Sequence, residues 1–172
     1  RNARIDEAKD ELEASITGRN GAEGMDEVIG IRALGVQFSA AMVRYTDVVH
    51  RISGLRKELA SRIGFDAAQA ELAGQIGVQL AIVNGEGDDD AKTVARAESD
   101  RLTGQKNDAQ KDAAGNPTHR ALKYIQRSLS NSERSESELD RQLTRARTAL
   151  NQGINEAKQR IADLQTAAKL TN

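Results

Sequence analysis

Residues 31–59, IRALGVQFSAAMVRYTDVVHRISGLRKEL, decide the fold. Apolar side chains recur at Ile31, Leu34, Phe38, Ala41, Tyr45, Val48, Ile52, Leu55 and Leu59, in steps that alternate between three and four residues. That is a heptad a/d seam over four repeats, and the two-residue period of a strand cannot produce it. A second row, Val28, Gly35, Met42 and Val49, lies one residue further round the same helix. Together the rows make a face too wide for a two-stranded coiled coil, so a bundle or several neighbours must cover it. Gly30, Gly35, Ser39, Ala40 and Gly54 are small residues within this stretch. Each Gly costs a helix about 1 kcal/mol against Ala, which is tolerable where another backbone approaches closely. The reading predicts a helix over 26–63, opened by Asp26 as N-cap and ended near Ile63–Gly64.

Before this segment, Ile5, Ala8, Leu12 and Ile16 form one stripe, predicting a short amphipathic helix over 3–17. Gly18, Gly21 and Gly24 then mark a hinge. After it, Asp66 and Gln69 have capping-box spacing, predicting a new helix to about Val83, with a short strand over residues 78–83 as the alternative for its tail. Asn84–Gly85–Glu86–Gly87 is a turn. Asp88, Asp89 and Asp90 open a short helix to about Leu102, with Gly104 as its stop. Residues 105–117 have no apolar period and read as an exposed loop closed by Asn116–Pro117. A last helix is predicted over 118–170. Its seam starts at Leu122, Ile125 and Leu129, turns polar at Ser132 and Glu136, and resumes through Leu139, Leu143, Ala146, Leu150, Ile154, Ala157, Ile161, Leu164 and Ala168. The polar stretch is expected to be locally weak or solvated. The two consecutive steps of four that meet at Leu150 read as a stutter, which unwinds a left-handed supercoil.

Composition agrees with an all-α protein. The 172 residues include no Cys, no Trp, one Pro and four aromatics, Phe38, Tyr45, Phe65 and Tyr124. Without Cys there is no disulfide scaffold and no thiolate metal site. Four aromatics provide no base-stacking platform, and a net charge of −1 provides no footprint for nucleic acid. The charge is segregated: residues 66–118 carry −5 and residues 119–172 carry +4. No run of uncharged apolar residues is long enough for a transmembrane helix. The sequence opens at Arg1 rather than Met, which reads as a piece of a longer chain.

No catalytic or cofactor-binding residues are assigned. His50 and His119 lie far apart and make no metal-ligand pairing; His50 reads as solvent-facing. Glu86 with Asp88–Asp90 is the best candidate cation site, but consecutive acids at a helix start are ordinarily explained by capping and the helix dipole. No Gly-x-Ser-x-Gly elbow or phosphate-binding loop is present. Arg141, Arg145 and Arg147 read as helical ion-pair residues beside Glu138. Residues 28–43 are apolar except at Arg32, Gln37 and Ser39, which suits burial in a bundle or subunit contact better than a membrane interface.

Residues 25–42, MDEVIGIRALGVQFSAAM, resemble the N-terminal helix of the EspA-like filament proteins of bacterial type III secretion, in which an Asp-x-Val-Ile start also leads to Leu-Gly-Val and an Ala-rich stripe. The plan is similar as well, with long terminal helices flanking a variable polar middle. The resemblance implies a secreted or bacterial cell-surface protein that polymerises into a filament, with itself as main partner and secretion chaperones or translocon proteins as further ones. The expectation is thus one helical domain, with long N- and C-terminal helices packed antiparallel around a polar middle of short helices. It acts as a structural, self-assembling subunit without cofactor, metal or nucleic acid. Its packing residues are Leu34, Phe38, Met42, Tyr45, Val49, Leu143, Leu150, Ile154 and Ile161. The rival expectation is a helical-bundle sensor or adaptor domain working through protein contact; an enzyme is the remotest reading.

Overall fold

The computed structural model describes residues 2–21 and 25–171. Among them are four helices and no strand: α1 (Asn2–Thr17), α2 (Ile31–Val83), α3 (Asp89–Asp108) and α4 (Leu122–Thr171). The all-α class stands, with α2 packed on α4 and on α3. The contacts divide the chain into two compact units, residues 1–51 with 132–172 and residues 52–131.

The helix bounds differ from the expected ones in four places. First, α2 does not end at Gly64 but runs unbroken to Val83. A break there would strand several backbone donors and acceptors, whereas a Gly in mid-helix costs about 1 kcal/mol. The Arg62–Asp66 ion pair, 3.0 Å at i,i+4, spans the glycine, so Asp66 supports the helix interior instead of capping a new start. Residues 78–83 are helical for the same reason; no Pro interrupts the run. Second, α2 begins at Ile31, not Asp26. Val28, just before it, is held out of the helix in an isolated antiparallel bridge, in which Arg19 and Val28 exchange both backbone hydrogen bonds, at 2.8 and 2.9 Å. Leu34 N–H makes an early helical bond to Gly30 O at 3.1 Å. Third, α3 passes through Gly104 to Asp108. Fourth, α4 starts at Leu122 rather than 118, because residues 109–121 form a tied turn. There Asp112 Oδ1 accepts from Ala114 and Asn116 N–H, both at 2.9 Å, Gly115 takes φ +84°, and Thr118 N–H donates to Gln110 O.

The unit of residues 1–51 and 132–172 joins α1, the first part of α2 and most of α4. Among its described residues Ala14, Ser15, Gly30, Leu34, Ala41, Val48, Ser132, Leu143, Gly153 and Ala157 are buried. The α1 helix closes at Gly18, whose φ of +87° is the left-handed conformation that glycine adopts without strain. Of the expected hinge, Gly18 is tied into the Arg19–Val28 pairing, and Gly24 lies outside the described residues. Arg19 also reaches Glu11 at 3.0 Å and Asp26 O at 3.3 Å.

The α2 seam is as read: Leu34, Ala41, Val48, Ile52 and Leu55 are buried and Ile31, Phe38, Tyr45 and Leu59 half-buried. The α4 seam is as read at Leu122, Ile125, Leu129, Leu139, Leu143, Ala146, Leu150, Ile154, Ala157 and Leu164, all buried or half-buried, and departs at Ile161 and Ala168, which are exposed. Beside it Gly153, Arg160 and Ala167 face inward, so that Ala146, Leu150, Gly153, Ala157, Arg160, Leu164 and Ala167 form a row alternating three and four without a stutter. Gly153 is buried where Ile154 is half-buried, and a Cβ on it would come to 2.7 Å of Leu34 Cδ1 and 3.3 Å of Ile31 Cγ2. Ser132, expected to be solvated, is buried within an uninterrupted helix.

In the unit of residues 52–131 the core is Ile52, Leu55, Ala95, Ser99, Leu102 and the fully buried Ile125. The returning chain runs back along α2: Gln110 meets Gln69, His119 meets Phe65 and Ser61, and Arg120 meets Glu58. Falling numbers against rising ones set α4 off antiparallel to α2.

Candidate functional site

Heptad repetition dictates which α2 side chains face the core, and what it leaves out defines the first candidate site. Val36 and Val43 sit two residues beyond the buried Leu34 and Ala41, about 200° round the helix and so nearly opposite the core. They are 70% and 60% exposed. Met42 and Val49, from the second row, are exposed at its edge. The first turns of α2 therefore carry apolar side chains on both sides, and among the described residues of this unit only one side is covered.

The nine expected packing residues divide accordingly. Leu34 and Leu143 are buried in their own unit, and Phe38, Tyr45, Leu150 and Ile154 are half-buried. Met42, Val49 and Ile161 are exposed. Val36 and Val43 were not among those nine, although both lie in the largely apolar run 28–43. Gly35 and Gly54, read as places where a second backbone comes near, have nothing within 4 Å of the position a Cβ would take.

A second, polar site lies within the unit of residues 52–131. The His119 ring stacks on Phe65 with centroids 4.4 Å apart and planes 23° from parallel. Its Nε2 lies 3.1 Å from Ser61 Oγ and its Nδ1 3.1 Å from Thr118 Oγ1. Arg62 donates through Nη1 to Arg120 O at 3.1 Å and lies over the Phe65 ring at 5.4 Å. Arg120 forms a two-pronged pair with Glu58 and lies 4.8 Å over Tyr124. The hydrogen-bonding Arg120 guanidinium holds the Glu58 carboxyl below the usual carboxylate range, partial burial opposes this, and the charges of Arg120 and His119 assist it. Sequence spacing pointed to none of this, since His119 and Phe65 meet only because residues 109–121 turn back on α2.

The acidic run supplies a cap. Asp88 Oδ1 accepts from Ala91 N–H, and Asp89 and Asp90 occupy the first turn of α3. Among the described residues no group of His, Asp or Glu converges on a point that would hold a metal ion, and no helix is long and apolar enough to cross a membrane.

Fold and surface define an all-α bundle protein with an exposed apolar helix face. No protein-family model, curated protein or solved structure matches the chain.

Proposed function

We propose that this chain is a structural, self-associating helical subunit, of the secreted-filament kind that residues 25–42 resemble. The observation that carries the reading is the exposure of Val36 and Val43 on the side of α2 away from its core. An apolar residue on the outer face of a helix stays in contact with water until a neighbour covers it. Burying a Val side chain fully contributes about 1.5–3 kcal/mol, so covering Val36 and Val43 favours association. Gly35, with open space where its Cβ would be, lets another helix come close beside Met42 and Val49. Secretion, a cell-surface location and chaperone or translocon partners rest on the resemblance and belong to the same proposal.

Sedimentation velocity and negative-stain microscopy over a concentration series test it. Concentration-dependent polymers that disappear in Val36→Asp/Val43→Asp, with helicity retained, are the expected result. A chain that stays monomeric at every concentration overturns it and returns attention to the adaptor reading. These positions are better probes than Phe38, which is half-buried within its own unit and whose replacement by Asp would damage the monomer as well.

A further inference from the structure

Beside the His119 cluster, wholly within the unit of residues 52–131, lies an open cleft of about 500 Å³. That volume is in the range that small ligands occupy. Its walls carry Arg62, Lys106, Lys111 and His119 against a single carboxylate, Asp66. Among the described residues neither lysine forms an ion pair. The charge of these walls is opposite in sign to that of the surrounding sequence, since residues 66–118 carry −5 overall. A concave surface lined by one sign of charge concentrates counter-ions.

Arg62 is held in place by its donation to Arg120 O and by its position over Phe65. Its Nε is buried and 3.0 Å from Asp66 Oδ1, yet has no aligned hydrogen-bond acceptor. A guanidinium fixed by these contacts is pre-organised for planar recognition of anionic oxygens. His119 is fixed by stacking and by two hydroxyls: Thr118 Oγ1 donates its own proton to Ala109 O and so accepts from the ring's Nδ1–H, and Ser61 Oγ lies 3.1 Å from Nε2.

We infer that this cleft binds a small ligand bearing two or more anionic oxygens, a phosphate ester or a polycarboxylate, with Arg62, Lys106 and Lys111 as its cationic contacts. The site is separate from the apolar face of α2 and does not rest on self-association.

The test is titration of the whole chain with pyrophosphate and, in a parallel arm, with citrate, at constant ionic strength, followed by calorimetry and amide NMR shifts. Saturable binding that moves the amides of residues 106–119 is expected, and the tighter arm distinguishes a phosphate from a carboxylate ligand. In Lys106→Gln/Lys111→Gln, with unchanged far-UV circular dichroism, binding weakens at least about tenfold, as loss of charge-assisted contacts requires. Lys123→Gln, whose lysine does not line the cleft, leaves it unchanged. Shifts that never saturate, or equal binding by the double variant, overturn the inference.

Discussion

Gly153 of α4 lies directly against Leu34 of α2: a Cβ placed on Gly153 comes to 2.7 Å of Leu34 Cδ1 and 3.3 Å of Ile31 Cγ2. Leu34 is itself buried and cannot swing aside freely. Gly153→Ala therefore sets overpacking, typically about 1–3 kcal/mol, against a helix-propensity gain of about 1 kcal/mol. A net loss of roughly 1 kcal/mol is expected in urea denaturation. Leu34→Val removes the crowding atom, so the double variant is less destabilised than the two single changes added together. Strict additivity in that cycle would show that the contact does not govern the site.

Gly64 has open space around it inside α2. Gly64→Ala is expected to stabilise by about 1 kcal/mol, a rise of roughly 2–4 °C in Tm for a chain of this size. The opposite sign would mean that the helix ends here after all, because a terminating glycine in the left-handed conformation resists substitution. Differential scanning calorimetry decides it.

Gly30 behaves differently. A Cβ there would meet Gly18 N and Ile16 O, each at 2.4 Å, and backbone cannot yield as a side-chain tip can. Gly30→Ala is expected to cost on the order of 2–3 kcal/mol, whereas Gly21→Ala, with its nearest neighbours at 3.7 Å, stays within about 0.5 kcal/mol. Chemical denaturation of the pair measures the contrast.

The Glu58–Arg120 pair ties stability to pH. With the folded-state pKa of Glu58 below its ordinary value of 4.5, the folded protein binds fewer protons at this group than the unfolded chain. The stabilisation is complete above about pH 4.5 and is lost as pH falls through the lower folded value. Glu58→Gln is thus expected to be less stable than the parent at neutral pH and to converge with it on acidification. A constant difference from pH 7 down to pH 2 would show that the carboxylate's charge is not the cause.

The helical class, the α1 stripe and all nine seam positions from Ile31 to Leu59 were legible from residue order, because a 3.6-residue helix turns spacing directly into a face. The Asp88 cap was legible for a similar reason, since its acceptor and Ala91 N–H are three residues apart. The α2 continuation through Gly64 was not. A glycine permits a break, and only the packing of the following turns and the Arg62–Asp66 pair across it show that no break occurs. Nor was the burial of Gly153, because hydrophobicity points to Ile154 and only the tertiary structure brings Leu34 against the glycine. The cationic cleft was the least legible of all. Arg62, Lys106 and His119 are distant in sequence, and they share one surface only because the 109–121 turn doubles back along α2. Periodicity specifies which way a side chain faces on its own helix; long-range packing specifies what it faces.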